Sequence, residues 1–141
     1  MNNRVLVGGL IGAVASFFLG FLIYAIVLDP MLSEHTMSGV MRADEEMSWA
    51  FLILGNLAYG FLVAYILDKA NAASFSSGAT IGAVVGLLSS LASGFISYAV
   101  SNWYTSMTGP FIDVVGAVVM FALVGGIVGW WYGRGRRVVV A

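Results

Sequence analysis

The chain has 141 residues, of which 60% are hydrophobic and 9% charged, with a formal net charge of −1 and no cysteine. A soluble domain carries about 45–50% apolar and about 25% charged residues, so this composition excludes an ordinary water-soluble fold and places the chain in lipid. The near-neutral balance offers no basic face for nucleic acid, and the lack of cysteine excludes disulfide exchange, thiolate catalysis and cysteine-based metal sites.

The first element is the apolar run Val5–Leu28. Its opening, MNNRVLVGGLIGAVAS, is similar to a signal peptide, with Arg4 in front and Ala13-Val14-Ala15 as a cleavage pattern. Because the apolar run continues unbroken to Leu28, it is read as a retained membrane helix. Small residues recur along it at every fourth position: Gly8, Gly12, Ser16 and Gly20.

The segment Asp29–Ser48 interrupts the apolar sequence with acids, Arg42 and the single histidine. Asp29 followed by Pro30 is a helix-start signal. At 100° per residue, Glu34, His35, Ser38, Arg42, Glu45 and Glu46 share one side, with Leu32, Met37, Val40, Met41, Ala43 and Met47 on the other and Asp44 as the exception. The pattern predicts an amphipathic helix in the membrane interface or capping the bundle, bent at Gly39. One histidine without a metal-ligand spacing, and methionines on an apolar face, argue for a solvated face over a Met-rich lid rather than a metal site. No cofactor is expected.

Three more runs follow: Trp49–Leu67, Gly78–Val100 and Phe111–Tyr132. Each approaches or exceeds the roughly 20 apolar residues that span a bilayer. Runs of this kind without polar alternation are helices, because in hydrocarbon every backbone group must be satisfied within the segment or within a closed barrel. The fold class expected is an all-α membrane protein, a four-transmembrane-helix bundle. Asn56 lies about two turns into the second span and is expected to hydrogen-bond a neighbouring helix. The third span bears Gly78, Gly82, Gly86, Ser90 and Gly94, and the fourth Gly125, Gly129 and Gly133. Asp113 is expected in the first turn of the fourth helix, where the helix N-terminus favours an anion.

Small-xxx-small stripes let backbones approach closely where lipid supplies no hydrophobic drive between helices. Sequence leaves open whether these seams join helices of one chain or two copies in a homo-oligomer or larger membrane complex. A weak internal echo, Ile11-Gly12-Ala13-Val14 and Gly20-Phe21 against Ile81-Gly82-Ala83-Val84 and Gly94-Phe95, raises a duplicated helical hairpin. With four spans, Arg4, Lys69, Arg134, Arg136 and Arg137 share one side and Arg42 faces them across the membrane. The positive-inside rule then puts both termini in the cytoplasm and residues 29–48 outside. Tyr24, Trp49, Tyr98, Trp103 and Tyr104 are expected at the outer interface, and Tyr65, Trp130, Trp131 and Tyr132 at the inner one.

No Ser-His-Asp set, phosphate-cradling loop or pair of intramembrane acids is present, so an enzyme is not expected. Asn56, Tyr59, Tyr98, Asn102, Trp103 and Asp113 are expected to converge in the outer half of the bundle as an aromatic pocket with a few polar points. The leading reading is a non-enzymatic binder of a small apolar or amphipathic, lipid-like ligand, with membrane lipids as partners. A second is a structural or accessory subunit docking through the glycine faces, and a third is a small dimeric transporter.

The layout resembles a family of small bacterial membrane proteins called domain of unknown function 1761. The resemblance rests on Leu19-Gly20-Phe21-Leu22-Ile23-Tyr24, the polar Met-containing segment after it, Gly82 and Gly86, and Gly125-Gly126-Ile127-Val128-Gly129-Trp130. It implies a four-helix protein of the bacterial inner membrane and carries across no activity and no site residues.

Overall fold

The computed structural model describes residues 2–134. Among them are four helices long and apolar enough to cross a membrane: Asn3–Ser33, Trp49–Lys69, Phe75–Val100 and Thr108–Arg134. The shortest has 21 residues, about 30 Å at 1.5 Å per residue, which matches the hydrocarbon thickness. The protein is an integral membrane protein with an all-α, four-helix architecture. Arg136 and Arg137, used above for orientation, lie outside the described residues.

Local signals set the helix ends. The second helix closes on Asn71 in the left-handed region (φ 53°), with the Ala72 N–H donating to the Leu67 carbonyl at 2.9 Å. This satisfies a carbonyl that the helix would otherwise leave open. The third helix opens on a capping box in which the Ser74 hydroxyl accepts from the Ser77 N–H and the Ser77 hydroxyl accepts from the Ser74 N–H. The helix therefore starts at Phe75, a turn earlier than the apolar run indicated.

The first helix differs from expectation where it leaves the apolar run. Asp29-Pro30 does not begin a new helix; the helix continues through it to Ser33, by way of a π-helical segment, Phe21–Leu28. A proline lacks the N–H that the carbonyl four residues back needs, and its ring crowds that carbonyl. Wider π turns shift the pairing by one residue and accommodate it.

The amphipathic helix expected across residues 29–48 is not formed. After Ser33 the chain runs through turns to a single 3-10 turn, Asp44–Glu46. Two causes are visible. Gly39 sits at φ 78°, off the right-handed helix path. The backbone around Thr36 also pairs with the loop between the third and fourth helices: Met37 N–H donates to Trp103 O at 2.9 Å and Thr105 N–H to His35 O at 2.8 Å. The His35 ring adds a hydrogen bond to the Ser106 hydroxyl at 2.9 Å. Tertiary hydrogen bonds thus replace the helical ones, and the two loops at this end are stitched together.

The helices pack in the order second, first, fourth, third, and the second and third scarcely meet. The fourth is the central element: half of its most apolar window is buried, against 17–22% in the other three. The core is Val63, Ala64 and Leu67 of the second helix, Ala72, and Ala117, Met120, Phe121, Val124, Val128 and Tyr132 of the fourth. Large apolar side chains such as Leu10, Phe18, Ile53 and Leu88 point outward, as lipid-facing residues do.

The small residues predicted to pack lie against other parts of this chain, with Gly20 and Gly133 only half-buried. Gly78 and Gly125 face each other backbone to backbone, Gly82 lies against the Phe121 carbonyl, Gly86 against Ala117, Gly129 against Gly78 and Ser74, and Gly133 against Ala73. On the other hairpin a Cβ at Gly12 would lie 3.0 Å from the Gly60 Cα, closer than carbon atoms pack. Gly8 meets the Tyr132 ring, Gly20 lies beside Met120, and Ser16 is fully buried. Gly12 and Gly82, equivalent in the sequence echo, both seat the helix against the following one.

Candidate functional site: a lateral cleft between the second and third helices

A ring packed second–first–fourth–third leaves one gap, and that gap holds a cleft of about 430 Å³. This is within the roughly 300–1,000 Å³ of small-molecule sites. The second helix contributes Phe51, Leu52, Gly55, Asn56 and Tyr59; the third, Gly86, Ser89, Ser90 and Ser93; the fourth, Asp113, Ala117, Met120 and Phe121; the first, Ser16, Gly20 and Tyr24. Aromatic and aliphatic groups stand beside hydroxyls, an amide and a carboxyl. Tyr59 and Phe121 meet edge to face, centroids 5.1 Å apart, which fixes one wall.

Asp113 organises the polar side. It is not in the first turn of its helix, because that helix begins at Thr108; it is half-buried in the second turn and faces the third helix. The Ser90 hydroxyl donates to its Oδ2 at 2.6 Å, a short, strong contact for a hydroxyl on a carboxyl oxygen. The Tyr24 hydroxyl donates to the Asp113 backbone carbonyl at 3.2 Å. Tyr24 is therefore turned into the bundle rather than anchored at the interface. Its ring and the Leu28 side chain both lie against Gly116, where a Cβ would collide with Leu28. Outside the spans, burial first and then the nearby Asp113 carboxyl push the Tyr104 hydroxyl above its ordinary pKa.

Two further groups complete the cleft. Ser16, at the level of Gly86 and Phe121, is 1% exposed, and its Oγ has no hydrogen-bond partner within the protein. Asn56 donates its amide to the Leu52 carbonyl of its own helix at 2.8 Å, not to a neighbouring helix. Its carbonyl oxygen is the acceptor that remains.

Of the six residues expected to form a pocket, Asn56, Tyr59 and Asp113 line this cleft, whereas Tyr98, Asn102 and Trp103 do not. Tyr98 and Trp103 are about two-fifths exposed, and Asn102 is in the exposed loop that Trp103 ties to Met37. Nor do the methionines of residues 29–48 roof the cleft, since that segment is absent from its lining. Sequence reading missed Tyr24, Ser89, Ser90 and Ser93 as site residues and took Ser16 for packing alone. A signal existed: Ser16 and Ser90 interrupt glycine stripes with a hydroxyl, which costs little only where something accepts or supplies a hydrogen bond.

At the opposite end, Arg4 pairs with Asp68 at 3.4 Å, donates to the Ala72 carbonyl at 3.3 Å and lies 4.1 Å above the Tyr132 ring. The Tyr132 hydroxyl donates to the Ala64 carbonyl at 3.0 Å, and the ring is buried rather than interfacial. These contacts join the first, second and fourth helices at the Arg4 end. Arg134 stacks on Trp130 and Lys69 approaches Tyr65 there. Among the described residues no group of three His, Asp or Glu side chains converges as a metal site.

A bundle of four spanning helices with a side-opening, partly polar cleft defines the class: a small polytopic membrane protein. The chain belongs to the DUF1761 family, whose sequence profile, described as "Protein of unknown function (DUF1761)", matches residues 7–129. No curated protein and no solved structure matches the chain significantly.

Proposed function

We propose that this protein is a non-enzymatic binder of a small amphipathic, lipid-like molecule, held in the cleft between the second and third helices. The observation that carries the reading is a gap of ligand size between two spanning helices, lined by polar groups that lie within the spans. Polar side chains within spans are costly in lipid and are kept where they have partners or a task. Here they gather on one concavity instead of being scattered among helix contacts. The lateral opening gives an apolar tail its place between the second and third helices, and the inward hydroxyls and Asp113 fix the polar end. Ser90 is hydrogen-bonded to Asp113, but no histidine and no second acid line the cleft, and the reading assigns it binding rather than turnover. The reading also takes the protein to lie in a bacterial inner membrane, with the Arg4 end cytoplasmic because it bears Arg4, Lys69 and Arg134.

Gly55 supplies the test. It lines the cleft, and a Cβ added there meets nothing within 4 Å. Gly55→Leu should therefore fill the cleft while leaving the fold intact. Native mass spectrometry of protein released from its own membrane is expected to show a retained lipid-like species in the unaltered chain, reduced at least tenfold in Gly55→Leu. Equal retention by both, or none by either, would remove the cleft as the binding site.

A further inference from the structure

We propose that the cleft selects an amphipathic cation: a molecule whose head is an ammonium group bearing N–H donors and whose tail exits between the second and third helices. This deepens the binding reading above and rests on it. Three observations about the cleft's own residues carry it.

The first is charge. Asp113 is the one acidic side chain in the lining, and no Lys, Arg or His is among the residues around it. The described basic groups belong to other places: His35, at the Asp113 end, is engaged with Ser106 and, like Arg42, is not in the lining, while Arg4 is held by Asp68 and Ala72 at the far end, where Lys69 and Arg134 lie against Tyr65 and Trp130. A carboxyl within a span ordinarily pairs with a cation or faces a water-filled cavity, and among the described residues no cationic side chain lines the cleft. An anionic head, a carboxylate or a phosphate, would meet Asp113 with no positive charge to offset it.

The second is the count of donors and acceptors. A carboxyl accepts about four hydrogen bonds, and Ser90 contributes one, to Oδ2. One of the two Asn56 amide N–H groups is engaged with Leu52, and its oxygen is an acceptor open to the cleft. Ser93 is engaged likewise, its hydroxyl donating to the Ser90 carbonyl at 3.3 Å, which leaves its oxygen as an acceptor. Asp113 thus keeps acceptor capacity that Ser90 does not fill, which a head donating several N–H groups would take up.

The third is Ser16. Its hydroxyl is buried, lines the cleft and has no partner within the protein. An unpaired polar group of this kind destabilises by about 1–3 kcal/mol, which a ligand donor reaching the cleft floor would relieve. The aromatic faces of Phe51, Tyr24 and Tyr59 on the same walls are favourable neighbours for an ammonium group and unfavourable ones for an anion.

The experiment compares three probes of equal tail length, dodecylamine, dodecanol and dodecanoate, at the same mole fraction in phosphatidylcholine nanodiscs containing the full chain. Retention of one probe per protein is read by native mass spectrometry. The expected order is dodecylamine at least tenfold above dodecanol, with dodecanoate lowest. Asp113→Asn, close in shape, is expected to abolish the tenfold preference and bring dodecylamine to within about twofold of dodecanol. Ser16→Ala is expected to lower dodecylamine about threefold, and Gly55→Leu to abolish retention of every probe. Equal retention of all three probes, each lost in Gly55→Leu, would overturn the cation preference and leave the amphiphile-binding reading standing. Retention of none, or retention indifferent to Gly55→Leu, would overturn both. Dodecylamine retention that survives Asp113→Asn undiminished would also overturn the proposal, since the carboxyl would then not be what the amine seeks.

Discussion

The two faces of the third helix show opposite solutions to the same problem. Toward the fourth helix it presents Gly78, Gly82 and Gly86, and the two backbones close until glycine Cα atoms touch carbonyls. Toward the second helix it presents Ser89 and Ser93, and the helices stand apart around a cleft. Both faces are made of small residues in an apolar helix. What separates them is whether a partner with a matching small-residue stripe is available: Gly125 and Gly129 supply it on one side, while the second helix presents Phe51, Leu52 and Tyr59 on the other. Close packing is where association energy arises in lipid, so the seam supports the fold and the gap takes little part in it.

The largest test of this contrast pairs Gly125→Leu with Gly55→Leu. At Gly125 even a Cβ would collide with the Gly78 carbonyl, and overpacking of this kind costs about 1–3 kcal/mol or more. The midpoint of thermal unfolding in detergent is expected to fall by roughly 5–15 °C. At Gly55 the same side chain enters open space and replaces a poor helix former, so stability should hold or rise by up to about 1 kcal/mol. Equal losses at the two positions would mean that the seam and the gap are not different in kind.

A smaller effect separates two serines of the cleft. Ser90→Ala removes the donor to Asp113 Oδ2 and is expected to destabilise by about 1–2 kcal/mol, because it strips a half-buried carboxyl of its hydrogen bond. Ser93→Ala removes only a long bond to a carbonyl of its own helix and should stay within about 0.5 kcal/mol. Denaturant titration of both in mixed micelles reads the difference. If the two lose equally, Ser90 is not the group that holds Asp113.

The smallest contrast lies at the Arg4 end, where polar contacts join three helices. Tyr132→Phe keeps the ring against Gly8 and beneath Arg4 but loses the hydrogen bond to Ala64. The expected cost is about 1 kcal/mol, with probe retention in the cleft unchanged. A change in retention would show that the two ends of the bundle are coupled.

Much of the fold was legible in the amino-acid order. Apolar runs of spanning length announce four helices because lipid permits few other ways to satisfy a backbone, and the period-four glycines announce that these helices touch. The internal position of Asn56 and Asp113 marked them as polar groups needing an account. The site was half legible. Tyr98, Asn102 and Trp103 share their level with the expected pocket, but level along the membrane does not say which way a side chain faces. Residues 29–48 read as a helix because their polar and apolar residues alternate with helical period, yet their hydrogen bonds go to Trp103 and Thr105, far away in sequence.

Composition and periodicity by themselves determined that this chain is a membrane bundle held by small residues, since those properties depend on each segment's own contact with lipid. Only the tertiary structure decided which helices pair, because seams of similar pattern can close within a chain or between copies. Here Gly78 meets Gly125 and Gly12 meets Gly60. The same pairing leaves the second and third helices apart, sets Ser90 against Asp113, and makes the cleft. Its position is a consequence of the order in which four cylinders pack, which no single segment encodes.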